Sequence, residues 1–123
     1  MTKRVLIAED EVLIAMGFEM ALEEAGFEVT LAYDGLSALD RYASEPADLV
    51  MVDVGLPKMN GLDLVRMIRQ RNPDQRILIV SGNIHRGTIH DGIPGEPVPV
   101  LTKPVSFKDL VNAVRNGLSE AVA

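Results

Sequence analysis

A chain of 123 residues fits one domain of common size, and its 12 basic against 18 acidic residues give a net charge of −6, which argues against holding a polyanion such as DNA through bulk electrostatics. The absence of cysteine excludes a disulfide framework and thiolate metal ligation. No run approaches the ~20 apolar residues of a membrane helix, and Glu9, Asp10 and Glu11 end the first apolar stretch far short of a signal-peptide core, so a single domain over 1–123, cytoplasmic and away from membranes, is expected.

Along the chain, short β-like runs alternate with helical patterns, the signature of repeated βαβ units around a parallel sheet. The first strand, 4–8, is the apolar run Val5-Leu6-Ile7-Ala8, closed by Glu9-Asp10. Next comes a helix of about 12–25, with Leu13, Ile14, Ala21, Leu22 and Ala25 at helical spacing and Gly26 as its stop. Strand 28–32 begins the alternation Val29, Leu31, Tyr33, and a second helix, about 36–44, ends before Pro46. The third strand, 49–53, is Leu49-Val50-Met51-Val52 closed by Asp53; its helix, about 61–71, carries Leu62, Val65, Met67 and Ile68 and stops before Asn72-Pro73.

A fourth strand, 77–81, runs Ile77-Leu78-Ile79-Val80 to Ser81. The segment 82–99 then holds four glycines and Pro94, Pro97 and Pro99. Each interior glycine costs a helix about 1 kcal/mol relative to alanine, so a fourth helix within 83–92 is expected to be short or irregular. Strand 98–102 and a last helix, about 106–119, complete the series; Ser106 is its N-cap, Asp109 its third position, and Leu110, Val111, Val114 and Leu118 its buried stripe. Met16, Met20, Met51 and Met67 read as core filler, and His85 and His90 as solvated loop residues.

The chemistry gathers at the strand ends. In a parallel sheet Glu9, Asp10, Asp53, Ser81 and Lys103 share one edge, the side on which open α/β sheets bind ligands. Three acids there repel one another unless a cation lies among them. All-oxygen donors point to a hard ion, Mg²⁺ before Zn²⁺. An ammonium and a hydroxyl beside such an ion suit phosphoryl transfer, which needs positioning and charge neutralisation more than covalent help. Taken singly, Glu9-Asp10 reads as an acidic first helical turn and Asp53 as a turn residue; it is their joint placement that selects a site.

Over essentially its whole length the chain resembles a receiver domain of two-component response regulators, on Glu9-Asp10, the stretch Asp53 to Gly61, Ser81-Gly82 and Lys103-Pro104. The resemblance implies a flavodoxin-like (βα)5 fold, doubly wound around a parallel five-stranded sheet of order 2-1-3-4-5. It makes Asp53 the acceptor of a phosphoryl group from a histidine kinase or histidine phosphotransferase. Asp10 and Asp53 would ligate Mg²⁺ directly, Gly55 through its carbonyl and Glu9 through water. Lys103 and Ser81 would hold the phosphoryl group, with a further bond from the Val54 amide. Lys103-Pro104 is expected to be cis. Such a domain catalyses its own phosphorylation and slow hydrolysis and signals to a downstream protein target, as a monomer or weak dimer.

Family analogy puts partner specificity on the first helix, around Leu13, Ala15, Met16, Gly17 and Met20, and puts control of dephosphorylation at Gly55 and Asn83. Two departures stand out. Val100 occupies the position where the family commonly has a Tyr or Phe that reports the switch, and the glycine-rich 82–99 falls where the family has its fourth helix; that segment is expected to order or shift on phosphorylation. Three other readings remain. A docking-only receiver would lack phosphorylation, an aspartyl phosphatase would want an acid where Gly55 stands, and a flavin protein would want a phosphate loop where Glu9-Asp10 stand. The chain is either a stand-alone receiver or the receiver part of a longer protein.

Overall fold

The computed structural model describes residues 2–82, 87–89 and 92–119. Strands β1 (Arg4–Ala8), β2 (Glu28–Ala32), β3 (Leu49–Asp53), β4 (Arg76–Ser81), β5 (Gly87–Ile89) and β6 (Val98–Thr102) form one sheet in the order β2-β1-β3-β4-β6-β5, with helices α1 (Val12–Glu24), α2 (Gly35–Ser44), α3 (Gly61–Arg71) and α4 (Phe107–Ser119) around it. Five strands are parallel and, numbered among themselves, run 2-1-3-4-5 as expected. The sixth, β5, is antiparallel to β6, pairing Gly87 with Val100 and Ile89 with Val98.

The continuous apolar runs are explained by burial on both faces. One face packs Leu6, Val50, Val52, Ile77, Ile79, Val98 and Val100 under Ala38 of α2 and Leu64, Val65 and Ile68 of α3. The other packs Val5, Ile7, Met51, Leu78 and Val80 under Phe18 and Leu22 of α1 and Leu110 and Val114 of α4. Helix ends obey the local chemistry. Ala25 caps α1 and Gly26 adopts φ +98°; the Phe27 amide bonds the Leu22 carbonyl and the Gly26 amide that of Glu23, the paired pattern that satisfies the last carbonyls. Asp34 caps α2, Asn60 caps α3 by accepting from the Asp63 amide at 2.9 Å, and Ser106 accepts from the Asp109 amide at 3.1 Å.

Several expectations are corrected. On α1 the core residues are Ala15, Phe18 and Leu22, whereas Leu13 is 83% exposed; Met16 and Met20 are also exposed and so are surface residues, Met51 is core filler and Met67 is half-buried. Ala15 is fully buried and cannot be read directly by a partner. In place of the short or irregular helix between β4 and β6, the described residues 87–89 form a strand; the rest of that helix, at 83–86 and 90–91, and with it Asn83, His85 and His90, lies outside the described residues.

The stretch from Ile93 to Glu96, between β5 and β6, is anchored. Ile93 is buried, and the buried Arg69 of α3 donates from Nη1 to the carbonyls of Pro94 and Glu96, both at 2.8 Å, and from Nε to that of Gln75 at 2.9 Å. One guanidinium thereby satisfies three carbonyls that β structure would otherwise have to pair. Gly95, at φ +87°, lies against the Pro73 backbone and Arg69, where no side chain fits.

Candidate functional site

Register carries the named side chains to one edge. Ala8 pairs with Ala32 and Val52, Asp53 with Val80, and Ser81 with Thr102, so Glu9, Asp53, Ser81 and Lys103 emerge together at the carboxyl ends of β1, β3, β4 and β6. Glu9 continues β1, its amide donating to the Ala32 carbonyl at 3.0 Å, which turns its side chain into the site where only 2% of the residue is exposed. Asp10, one residue on, is exposed, and Asp53 is half-buried. One carboxylate oxygen from each of the three acids lies within 4.8 Å of the others.

Lys103 reaches across the edge to two of them. Its Nζ donates to Glu9 Oε1 at 2.6 Å and to Asp53 Oδ2 at 3.3 Å. The lysine backbone is held in place by its own amide, which donates to the Ser81 carbonyl at 2.9 Å, and the Lys103–Pro104 peptide is cis as expected. Ser81 is buried at the end of β4.

Electrostatically the group is a concentrated negative site with one cation in it. Burial alone would lower the Lys103 pKa, but the hydrogen bond and charge of Glu9, with the charge of Asp53, outweigh it and raise the value, which keeps the ammonium charged. Burial raises the Glu9 pKa; the Lys103 bond and the Glu11 amide, which donates to Glu9 Oε2 at 3.1 Å, offset part of that. The donors are all oxygens, two of the acids line an open edge, and their like charges need neutralising, so the set fits a hard divalent cation.

The loop from Val54 to Asn60 supplies backbone groups. The Gly55 amide donates to Asp53 Oδ1 at 3.3 Å, and the Gly61 amide donates to the Val54 carbonyl at 2.9 Å, closing the loop onto the start of α3. A side chain at Gly61 would fall 2.7 Å from Val54 Cα, so the loop closes only with glycine there.

The sequence reading missed two supports, Arg69 and the Asp34-Gly35 start of α2. Arg69 stands four residues after Val65, on the buried face of α3, which marks a cation meant for a buried acceptor. The Asp-Gly pair before a helical pattern is a cap signal.

Beside Lys103, Leu13, Ile14, Gly17, Phe18, Pro104, Val105 and Phe107 line an open, mostly apolar groove of about 590 Å³. Among the described residues no helix is long and apolar enough to cross a membrane.

The response regulator receiver domain profile matches residues 5–115. The response regulator receiver protein CpdR of Brucella abortus is 34% identical over 119 residues, covering 97% of this chain and 99% of that protein. The transcriptional regulatory protein CusR of Escherichia coli K12 is 35% identical over 123 residues, covering 98% of this chain and 53% of its own. This chain thus spans nearly all of the first and about half of the second. Among solved structures, a CheY-like response regulator receiver domain protein from Methanospirillum hungatei superposes with a TM-score of 0.84 at 25% identity, covering 98% of this chain and 96% of that one. With the profile, a full-length relative and the fold in agreement, the chain belongs to the response regulator receiver domain family of two-component systems.

Proposed function

We propose that residues 1–123 are one receiver domain working as a phosphorylation switch in the cytoplasm, with Asp53 accepting a phosphoryl group from a phosphohistidine on a kinase or phosphotransferase. The observation that carries this reading is the convergence of Glu9, Asp10 and Asp53 with the Lys103 ammonium bonded to both Glu9 and Asp53. An aspartate aligned by a strand end is the nucleophile. Its oxygen attacks phosphorus, the phosphorus–nitrogen bond of the donor breaks, and the imidazole nitrogen leaves with the electron pair. Later attack by water on the acyl phosphate releases inorganic phosphate and restores the carboxylate.

Glu9, Asp10, the Asp53 carboxylate and the Gly55 carbonyl are the groups that would hold Mg²⁺, which when bound neutralises the acidic cluster and the charge on the phosphoryl oxygens. Lys103, already paired with Asp53, is in reach to shift from carboxylate to phosphoryl oxygen as charge develops there. The Val54 amide and the Ser81 hydroxyl supply the remaining bonds. Gly55, two residues after Asp53, offers no general acid, which disfavours a dedicated phosphatase.

The donor docks beside Lys103. Leu13, Met16 and Met20 on α1 are exposed, and the groove between α1 and Phe107 continues that apolar strip up to the lysine. Single exposed apolar residues are ordinary, but a strip next to a reactive edge suits a helical protein partner. The signal then passes to a downstream protein target, with no nucleic acid bound directly.

Intact mass after incubation with acetyl phosphate tests the reading. A gain of one phosphoryl group that needs Mg²⁺ and disappears in Asp53→Asn is expected. If neither acetyl phosphate nor a phosphorylated histidine kinase labels the native chain, it is a docking-only receiver.

A further inference from the structure

The loop bearing Val54 and Gly55 does not stand on its own. Its far side is seated on the first residues of α2, an element that contributes nothing to the acidic cluster. The Gly35 amide donates to the Pro57 carbonyl at 3.2 Å, the carbonyl that also accepts from the Met59 amide at 2.8 Å. Gly35 is buried against Met59. A Cβ on it would meet the Met59 carbonyl oxygen, lie 2.6 Å from Met59 Cβ and 2.9 Å from the Met59 carbonyl carbon. Lys58, held at φ +69°, reaches Asp34 Oδ2 at 3.7 Å, while the same Asp34 caps α2 through the Ser37 amide at 2.7 Å.

We propose that Gly35 is a positioning residue for phosphoryl transfer: the α2 start fixes the height of the 54–60 loop and hence of the Gly55 carbonyl and the Val54 amide. The inference rests on the phosphoacceptor reading above. Strand β3 fixes Asp53 by itself, through its register with Val80. The two backbone groups beyond it are placed by the loop, which buried Leu56 roots in the core and which closes on two glycine abutments. One is Gly61, in its own helix; the other is Gly35, in a different strand–helix unit.

Packing decides which side yields to an added methyl. Helix α2 is held by its cap and by Ala38, fully buried in the core; in the loop Leu56 is buried in the same core and Met59 packs against it, while Pro57, Lys58 and Asn60 are exposed. An added methyl at Gly35 therefore strains the 57–60 stretch, between the Leu56 anchor and α3, rather than α2. Because Mg²⁺ demands near-ideal octahedral geometry, a displacement approaching 1 Å at a carbonyl ligand is felt as lost affinity. Coupling of this kind is reciprocal, so cation binding must in turn tighten the Gly35–Pro57 contact.

The test is a Mg²⁺ titration read through the amide shifts of Val54 and Gly55, which needs no phosphoryl transfer. Gly35→Ala is expected to raise the dissociation constant about tenfold. Gly117→Ala, whose Cβ presses at 2.9 Å on Leu49 Cδ1 at the opposite end of β3, controls for general destabilisation and is expected to stay within twofold of native. In the native chain, saturating Mg²⁺ with beryllofluoride should slow amide exchange at Gly35 several-fold, and this measurement decides the matter if Gly35→Ala does not fold. An unchanged dissociation constant in folded Gly35→Ala, or unchanged Gly35 exchange, overturns the proposal. A native chain whose Val54 and Gly55 amides ignore Mg²⁺ overturns the phosphoacceptor reading itself, a result distinct from either.

Discussion

The carboxyl edge of the sheet and the connection from β4 to β6 solve different problems with different devices. At the edge, four strand ends and one tight loop place charged groups within hydrogen-bond reach, and every support stands at a strand end, a loop or a helix start. The connection is held from the side: a third-helix arginine grips the carbonyls of Pro94 and Glu96, and a three-residue strand lies against β6 where the family has a helix. Chemistry constrains the first region to one geometry. The second has only to link two parallel strands, and it is free to vary in how it does so. Val100 joins the two regions. It is buried, paired with Ile79 on one side and with Gly87 on the other, and as a valine it has no ring to pivot.

The contrast can be broken or sharpened by substitution, and the largest effect belongs to the connection. Arg69→Met strips the Gln75, Pro94 and Glu96 carbonyls of their donor and is expected to cost about 3 kcal/mol, given roughly 1–3 kcal/mol for each buried group left unsatisfied. Denaturant unfolding should show the loss and amide exchange at Val98 and Val100 should speed up, with acetyl phosphate labelling within twofold of native. Labelling that falls with stability would mean the two regions are not separable. Gly61→Ala makes the opposite split. Its Cβ would lie 2.8 Å from the Asp53 carbonyl carbon, so a loss of about 2 kcal/mol is expected together with labelling reduced at least tenfold.

Val100→Tyr puts the family's aromatic into a filled site. Overpacking there should cost about 1.5 kcal/mol and unpair β5 from β6, read as faster exchange at Val98 and Val100, while Mg²⁺-dependent labelling persists. Tyr42→Phe removes the 2.7 Å bond to buried Gln75 and should cost about 1 kcal/mol in thermal unfolding with no change at the site.

A smaller effect lies in the pH dependence of the edge. Glu9 has a folded pKa raised above its ordinary value, so between the two values the folded chain keeps a proton the unfolded chain has lost. Stability from this group is therefore present below the ordinary glutamate range and declines as pH rises through the raised value. Subtracting the pH profile of Glu9→Gln from that of the native chain, without divalent cations, should isolate that decline; a difference that rises with pH would reverse the assignment.

How much of this was readable in the sequence depends on whether the cause was local. The strands were legible because double-sided burial writes a continuous apolar run, as in Val5 to Ala8 and Leu49 to Val52. Gly26 and Ser106 declared their helix ends by residue type alone. The candidate site residues were legible because Glu9, Asp53 and Ser81 come directly after apolar runs, with Asp10 next to Glu9 and Lys103 two residues after Leu101. Periodicity failed on α1, where Leu13, Met16 and Met20 look like a core stripe but face outward, since Ala15, Phe18 and Leu22 already fill the space under the helix. The antiparallel β5 was not readable: Gly87-Thr88-Ile89 has no strand-like length, and its pairing is decided by β6, further along the chain. Local pattern marks Asp34-Gly35 as a cap and Arg69 as a cation on a buried face, but their partners lie far along the chain and no local pattern names them.

The proposed switch needs Asp53, and not its acidic neighbours, to carry the phosphoryl group. Treating the phosphorylated chain with borohydride converts an aspartyl phosphate to homoserine, and tandem mass spectrometry of the peptides then locates it. Homoserine at position 53 alone, formed only when Mg²⁺ was present during labelling, is the expected result. Homoserine at position 10, or phosphate retained elsewhere in the chain after reduction, would put the phosphoacceptor at another residue and overturn the role proposed for Asp53.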